Sequence, residues 1–267
     1  MTGRIINLEG VARTLLVPLA CRAIESVRPD AILHDPRAVE VYRALNGTRE
    51  FLLGMSGHDL FAAVMRVRQF DAFAREFLSR NPGGTVVDIG CGLDTRFDRL
   101  NDGRMNWVGV DLPQVIELRR GLLPDLPRCQ TLAMSMFDPS WFEGVAQLKQ
   151  PAIFLAEGVF VYFSTGELKP LVQAMGARFP KGELVFDGLA PLMARLHNST
   201  SSVLKQSGTR IRWEVKDLAE LKGWGLQLIE RWGYFGKSEP RLGAANIIRC
   251  IPPLARASYI LHCRLGT

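Results

Sequence analysis

From about residue 85 onwards the chain alternates short apolar runs with amphipathic segments. Five runs rich in branched and aromatic residues predict strands at 85–90, 106–112, 130–136, 152–159 and 183–189. Segments with helical periodicity at 113–123, 141–148 and 167–179 separate them. Strands at 226–234 and 258–265 complete the pattern. Short apolar strands that alternate with helices are typical of a mostly parallel sheet covered by helices on both faces, which predicts a seven-stranded α/β fold.

The first 80 residues have a different pattern, which predicts helices only. Asp35-Pro36 is a typical helix start, because an acceptor side chain at the N-cap precedes proline at the first helical position. A longer helix is predicted over 57–80, where apolar residues recur at spacings of three and four. Asn81-Pro82-Gly83-Gly84 ends it. We therefore expect a single domain, with a helical N-terminal cap at 1–80 and a catalytic core at 81–267.

Residues 190–212, which follow the fifth predicted strand, are called the lid segment here. They include a polar tract, His-Asn-Ser-Thr-Ser-Ser, at 197–202. A long polar insertion after a sheet strand is commonly a mobile lid or a binding loop. The lid segment is therefore expected to cover a ligand.

The composition indicates where the protein is expected to be located and which partners it is expected to bind. No apolar stretch approaches the length of a membrane span or a signal peptide, so the sequence predicts a cytoplasmic protein without a membrane partner. The five cysteines are scattered without a Cys-x-x-Cys pair, which favours buried thiols over disulfides or zinc. The net charge of +6 is concentrated in residues 190–267, which hold twelve Lys and Arg against five Asp and Glu. This excess fits an anionic substrate, a nucleic acid or a solvated face, and the last is favoured.

The turn after the first predicted strand carries the most informative chemistry. Gly90 and Gly92 let a ligand approach the backbone, and Asp111 ends the second strand nineteen residues beyond Gly92. An acid at that position can accept hydrogen bonds from ribose hydroxyls. A dinucleotide fingerprint would place a third glycine where Thr95 stands, and Asp94 would repel a pyrophosphate. S-adenosylmethionine (SAM), which carries a sulfonium and an ammonium, is the better match.

Several motifs carry a family resemblance. The turn at 90–96 (Gly-Cys-Gly-Leu-Asp-Thr-Arg), followed by Arg99-Leu100, resembles the first motif of the leucine carboxyl methyltransferase family, which includes bacterial O-methyltransferases of polyketide tailoring. Further motifs resemble it in order along the chain, at 14–19 with 22–25, at 35–38, at 66–71 and at 156–162. The resemblance implies a Rossmann-like class I SAM-dependent methyltransferase fold.

The resemblance also implies roles for single residues. Arg66 would pair with the methionyl carboxylate of SAM. The other implied cofactor contacts are Gly90 and Gly92 against the cofactor, Asp94 near the ammonium, Asp111 on the ribose and Glu157 below the methionine portion. Tyr162 would lie close to the methyl-transfer region. The family often has Asp-Leu where this chain has Ser135-Met136, and Ser135 is favoured for the adenine contact.

Each candidate has a structural alternative. Arg66 and Arg68 fit the polar face of a helix, with Arg68 and Asp71 as an i,i+3 pair. Asp88, a further cofactor candidate, could only cap a turn, and Tyr162 could only pack in the core. Trp213 lies near the lid segment and could touch a ligand, although core packing is the default.

Two acidic residues and the histidines complete the candidates. Glu157 interrupts an apolar run and, if buried, needs a partner. Asp187 ends the fifth strand and could face the substrate or cap a loop. The four histidines show no metal-ligand spacing, and we predict no metal; His197, in the lid segment, is the candidate general base.

The sequence therefore predicts a SAM-dependent O-methyltransferase that acts on a carboxylate or phenol of a small molecule in secondary metabolism. A carboxylate is already ionised at neutral pH and needs no base, whereas a phenol benefits from one. The alternatives are an RNA methyltransferase, against which the lid tract lacks basic residues, and a non-catalytic SAM-binding partner or sensor. Nucleic acid is not expected as a partner, and a homo-oligomer is left open.

Overall fold

The computed structural model describes residues 15–46, 56–212, 217–236 and 238–266. The prediction for Trp213 lies outside the described residues. A seven-stranded sheet forms the centre of the fold. Its strands are β1 (Thr85–Ile89), β2 (Asn106–Asp111), β3 (Cys129–Ala133), β4 (Ala152–Ala156), β5 (Glu183–Leu189), β6 (Leu226–Gly233) and β7 (Ser258–Leu265).

The strand order is β3-β2-β1-β4-β5-β7-β6. The first five strands are parallel, and β7 pairs antiparallel with both β5 and β6. The predicted mostly parallel sheet is therefore confirmed. The connection after β1 leads to β2 on one side, and the connection after β4 leads to β5 on the other side. A crevice therefore opens at the carboxyl ends of β1 and β4, where ligands of such sheets bind.

Strands β5 and β7 have the predicted bounds, but the other five end earlier than predicted. The strand predicted over 130–136 ends at Ala133, and that predicted over 152–159 ends at Ala156. In both places the apolar pattern continues beyond the sheet, because the connecting segments are themselves packed into the core. Met136 and Phe160, for example, are buried although neither lies in a strand.

Helices cover both faces of the sheet. They are α1 (Leu16–Ser26), α2 (Pro36–Ala44), α3 (Gly57–Arg80), α4 (Arg96–Leu100), α5 (Pro113–Leu122), α6 (Trp141–Ala146), α7 (Thr165–Arg178), α8 (Pro191–Thr200), α9 (Ser202–Ser207) and α10 (Pro252–Ala255). Within the described chain no helix is both long and apolar enough to cross a bilayer.

The two faces follow the two-residue period of the strands. Val87 and Phe154 belong to the apolar cluster that contains α6 and α7, whereas Val86 and Ile153 belong to the cluster that contains α3 and α4. Strands β1 and β4 are fully buried, as expected at the centre of a sheet with helices on both sides.

Helix α3 has the predicted bounds and joins the N-terminal helices to the sheet. Ser56 and Asp59 form a capping box at its start, and Phe70, Phe73 and Phe77 pack on the sheet. Its length of 24 residues corresponds to about 36 Å at 1.5 Å per residue. The helix can therefore place side chains at both edges of the sheet.

The sequence did not predict the helices between β6 and β7. Two 3₁₀ segments within Pro240–Cys250, separated by a kink at Gly243, and α10 lie there. Leu242 packs against Phe61 and Met65 of α3. Arg241 also forms a bidentate ion pair with Glu25 of α1, at 2.6 and 2.8 Å. This insertion ties the C-terminal part of the chain to the N-terminal helices.

The lid segment contains two helices, α8 and α9, which the sequence analysis did not predict. Proline at the first position of α8 and the side chain of Ser201 at the start of α9 provide the local start signals. Ala194, Leu204 and Ile211 are buried against Val161. Ser199 and Thr200 of the tract are exposed, whereas Asn198 is half-buried and hydrogen-bonds the backbone of Ile211 at 3.0 and 2.8 Å.

Candidate cofactor and active site

The glycine turn follows β1 at the carboxyl edge of the sheet. Gly90 and Gly92 have φ values of +68° and +45°, a conformation that side chains other than glycine rarely adopt. The Gly90 N–H donates to the Val110 carbonyl at 2.7 Å, which fixes the turn to β2. A Cβ atom on Gly90 would lie 2.5 Å from Cγ2 of Val159, so the turn is closely packed on one side.

Asp111 ends β2 beside this turn. Its Oδ2 accepts a hydrogen bond from the Gly92 N–H at 2.8 Å, and its Oδ1 accepts one from the Leu112 N–H at 2.7 Å. Burial raises the pKa of Asp111, while these N–H donors oppose the shift. Each carboxylate oxygen keeps a further acceptor position, so the side chain can accept hydrogen bonds from a vicinal diol.

Arg96 lies at the centre of a buried ion cluster beneath the turn. Its side chain is fully buried and contacts four carboxylates: Asp71 at 2.8 Å, Asp88 at 2.9 Å, Asp94 at 2.6 Å and Glu157 at 2.6 Å. These carboxylates come from α3, from β1, from the turn and from the residue after β4. One guanidinium therefore connects four segments of the site.

Arg99, one helical turn further on, extends the cluster towards the N-terminal helices. It contacts Asp71 at 2.7 Å, Asp35 at 2.6 Å and Asp94 at 3.1 Å. Arg22 of α1 contacts Asp35 at 3.1 Å and donates to the Leu93 carbonyl at 2.8 Å. The glycine turn is thus held from below by charged groups of the cap.

Arg66 of α3 lies at the open side of the cluster. Its Nε contacts Glu157 Oε1 and its Nη1 contacts Asp187 Oδ2, both at 3.2 Å. The other oxygen of Asp187 accepts from the Gly158 N–H at 2.8 Å. The sequence left the role of Asp187 open. In the structure this residue both faces Arg66 and holds the turn after β4.

The expected pair of Arg68 with Asp71 was wrong. Asp71 is fully buried and binds Arg96 and Arg99, whereas Arg68 is half-exposed and lies 3.9 Å from Glu239. A buried carboxylate gains more from the buried guanidiniums than from a solvated neighbour on its own helix.

Asp88 and Asp94 differ in their electrostatic surroundings. Burial raises the pKa of Asp88 to about 7, and the charges of Asp94 and Glu157 add to this effect. Burial would also raise the pKa of Asp94, but the guanidiniums of Arg96 and Arg99 outweigh it and lower that pKa. Both carboxylates are engaged in the cluster, so neither is reserved for a ligand.

Ser135 and Met136 lie in the connection after β3, not in the strand. Ser135 Oγ accepts from the Phe137 N–H at 3.2 Å, while Met136 is buried in the core and its carbonyl accepts from Trp141 Nε1 at 2.9 Å. Met136 thus packs inwards. At the same edge, Leu112 and Phe137 are 39% and 38% exposed, so they offer an apolar surface to a flat base, which the sequence did not indicate.

Tyr162 lies in a 3₁₀ helix after β4 and packs against the apolar cluster of the lid segment. Tyr234, at the end of β6, lies close enough to Arg66, Asp187 and Glu157 for their charges to affect its pKa, which burial raises far above its usual value. The sequence did not single out Tyr234, because nothing local relates the end of β6 to α3. Both tyrosines lie within electrostatic range of Arg66.

His197 is half-buried on α8, and burial lowers the pKa of its imidazole, with the charge of Asp59 opposing the shift. It is therefore neutral at pH 7, as a proton acceptor must be. The influence of Asp59 places His197 near the first turn of α3.

The donors and acceptors of this edge fit SAM. Asp111 suits the ribose diol, Leu112 and Phe137 suit the adenine, and the excess of carboxylates suits a ligand with a sulfonium and an ammonium. The ion pairs of Arg66 with described residues use Nε and Nη1, so in this part of the chain Nη2 remains for a carboxylate. Of the residues that the structure describes, a Cβ atom on Gly92 would contact Leu15 alone, at 3.3 Å, which leaves space beside the backbone.

The architecture is that of the class I methyltransferases. A solved protein of Thermobifida fusca, provisionally described as a methyltransferase, superposes with a TM-score of 0.59 at 15% identity, over 97% of this chain and 96% of that one. A DUF574 family protein from Streptomyces avermitilis gives a TM-score of 0.57 at 15% identity, over 92% and 97%. These likenesses show the fold.

Sequence comparison defines the family. The leucine carboxyl methyltransferase family matches residues 16–176. The tetracenomycin polyketide synthesis O-methyltransferase TcmP of Streptomyces glaucescens is 29% identical over 97% of this chain and 98% of its own length. A SAM-dependent methyltransferase of Gibberella zeae, dpfgK, is 28% identical over 81% and 79%. The chain belongs to the leucine carboxyl methyltransferase family and is a SAM-dependent methyltransferase, as its motifs indicated.

Proposed function

We propose that the protein transfers a methyl group from SAM to a carboxylate or phenolic oxygen of a small molecule, in the tailoring of a secondary metabolite such as a polyketide. The observation that carries this proposal is the similarity to TcmP, which spans nearly the whole of both chains. The similarity therefore includes the segments that would contact the acceptor as well as those that would contact SAM.

On the cofactor side, SAM supplies an activated methyl on its sulfonium. Asp111 accepts hydrogen bonds from the ribose hydroxyls, and Nη2 of Arg66 binds the methionyl carboxylate. Ser135 stands at the adenine end with Phe137. Asp88, Asp94 and Glu157 act through the ion cluster, which keeps Gly90 and Gly92 in the conformation that accepts the ligand.

On the acceptor side, Tyr162 and Tyr234 hold the oxygen that receives the methyl group. Both hydroxyls lie in the electrostatic range of Arg66, which supports their placement at one end of the same space. The lid segment covers this space and excludes water, since its helices pack on Val161 next to Tyr162. Holding the acceptor oxygen about 3–3.5 Å from the methyl is the main task of the protein in such a displacement.

The proposal is tested with labelled SAM and a panel of aromatic acids and polyketide-like phenols. We expect label in the small-molecule fraction, as a base-labile ester or a base-stable ether. The enzyme should bind RNA only weakly, without the steep salt dependence that phosphate contacts produce. Label recovered in RNA from a cell extract would overturn the small-molecule assignment. SAM binding without transfer to any acceptor would indicate a sensor or partner protein.

His197 distinguishes the two kinds of acceptor. His197→Ala should leave ester formation nearly intact, because a carboxylate needs no base. Ether formation should fall by about a hundredfold or more if His197 removes the phenolic proton. His58→Ala, on the neighbouring turn of α3, is the matched control and should affect neither product. Equal rates for wild type and His197→Ala on phenols would exclude His197 as the base.

A further inference from the structure

The ion pairs around the glycine turn form one continuous network. It runs from Asp35 through Arg99 and Asp71 to Arg96, and from Arg96 through Glu157 to Arg66. Its members are four arginines (Arg22, Arg66, Arg96 and Arg99) and six carboxyl groups (Asp35, Asp71, Asp88, Asp94, Glu157 and Asp187), joined by contacts of 3.2 Å or less.

Among the described residues, this network has more carboxylates than guanidiniums. Fully ionised, six carboxylates and four arginines carry a net charge of −2. Including Arg119 and Asp111, which flank the turn, adds one charge of each sign and leaves the surplus unchanged. Uncompensated charge in a buried site is costly, so a bound cation or a bound proton must offset part of this surplus.

Among the described residues, Asp88 and Asp187 each have one guanidinium partner, but Asp187 also accepts a hydrogen bond from the Gly158 N–H. The ion pair of Asp88, 2.9 Å, is with Nη1 of Arg96, and the same nitrogen contacts Asp94 at 2.6 Å. Asp94 has a second guanidinium, Arg99, to share its charge.

Charged groups on each of the elements that pack against Asp88 also affect its pKa. Arg119 of α5 lowers its pKa, as Arg96 of α4 does, whereas Asp94 of the turn and Glu157 after β4 raise it. Burial raises it most, to about 7 overall. Protonation of Asp88 therefore offsets the surplus negative charge of the network at the smallest cost in free energy.

We propose that this network is a buried counter-ion for the sulfonium of SAM and that Asp88 exchanges a proton with solvent as that charge enters and leaves the site. The inference rests on the SAM-dependent reaction. When the methyl carbon bonds to the acceptor oxygen, the C–S bond breaks and its electron pair stays on sulfur. The sulfonium becomes a neutral thioether and the acceptor oxygen loses its negative charge in the same step. Once the methylated acceptor has left, the network lacks its cation, and a proton from solvent on Asp88 replaces it.

The consequence is selection of SAM over its demethylated product, S-adenosylhomocysteine. SAM brings one more positive charge into the site than the product does. SAM therefore favours ionised Asp88, whereas the product tolerates protonated Asp88. The preference for SAM increases as the pH rises through the pKa of Asp88 in the free protein and decreases below it.

The first experiment counts protons in the wild-type protein. Calorimetric titrations with SAM and with S-adenosylhomocysteine are run at pH 6.5, in two buffers that differ in ionisation enthalpy. SAM binding should release about 0.5–0.8 proton, and binding of the product should release much less. Between pH 5.5 and 7.5 the ratio of the two affinities should move about tenfold towards SAM. Equal proton release for both ligands would overturn the proposal.

Variants assign the proton to Asp88. Asp88→Asn mimics the protonated residue, so the affinity ratio should become independent of pH and SAM binding should release no proton. Asp88→Glu should restore the release. Glu183→Gln, which changes a buried carboxyl at the opposite edge of the sheet, is the matched control and should behave as wild type. Undiminished release in Asp88→Asn would refute the assignment. Absence of SAM binding by the wild type would instead refute the methyltransferase function.

Discussion

Two buried ionic groups lie at opposite edges of the same sheet, and α3 contributes to both. At the carboxyl edge its Arg66 and Asp71 belong to the network around the glycine turn. At the other edge Arg80, in its last turn, binds Glu183 through two contacts of 2.9 and 3.1 Å, and His262 contacts the same carboxylate at 2.7 Å.

The charge balance of the two groups differs. Glu183 is one carboxylate with a guanidinium and an imidazole around it. Burial alone would raise the pKa of Glu183, but hydrogen bonds from His262 and Arg80 lower it to about 2. The network at the carboxyl edge has two carboxylates in surplus, and there the pKa of Asp88 moves upwards. The balanced charges around Glu183 hold α3 against the sheet. The surplus of carboxylates around the glycine turn makes a site that attracts a cation.

Removing Arg96 should have the largest effect. Arg96→Met leaves four buried carboxylates without their shared partner, and we expect a loss of about 3–5 kcal/mol in the free energy of unfolding, the range for breaking a buried ion pair. Urea denaturation followed by circular dichroism measures it. A loss below about 1 kcal/mol would mean that the carboxylates are solvated or protonated rather than held by Arg96.

Arg66 tests the ligand side of the same network. Arg66→Ala should weaken SAM binding by about 1.5–3 kcal/mol, the range for a hydrogen bond to a charged group. Arg68→Ala, two residues along the same helix, is the control and should have a smaller effect, because Arg68 is half-exposed and faces Glu239. Calorimetric titration with SAM compares them. A reversed order would show that Arg68 is the anchor.

The stabilisation from the ion pairs around Glu183 should decrease in acid. The folded-state pKa of Glu183 lies below its ordinary value, so its stabilisation is complete above about pH 4.5 and is lost as the pH falls towards 2. Glu183→Gln should lose about 2 kcal/mol at pH 7 and lack this part of the acid sensitivity, after allowance for the half-exposed Arg80. Unfolding curves at pH 7 and pH 3 measure both. SAM affinity at pH 7 should stay within about twofold of wild type, since a distant independent site leaves binding unchanged.

The local pattern predicted those elements whose signals lie within a few residues. The 57–80 helix and the strands at 183–189 and 258–265 have the predicted bounds, because their periodicity stops where the elements stop. Strand ends at Ala133 and Ala156 were misplaced because buried connections continue the apolar pattern. The lid helices were missed because polar outer faces concealed a narrow apolar side.

Some features of the site could likewise be predicted from local sequence, and others could not. The glycine turn and Asp111 form a local motif, and the family resemblance singled out Arg66 and Glu157. Nothing in the sequence indicated that Asp71 would join Arg96 and Arg99, or that Tyr234 would lie near Arg66.

The sequence by itself determined the order of the seven strands, the long helix at 57–80, the glycine turn and the supply of arginines and carboxylates, since propensity and periodicity are properties of neighbouring residues. The tertiary structure alone decided which arginine meets which carboxylate. Arg66 and Asp187 are 121 positions apart, and Arg96 and Asp71 are 25 apart. The energy of each ion depends on its burial and on the sum of the charges around it, so the surplus that marks the site exists only once the chain has folded.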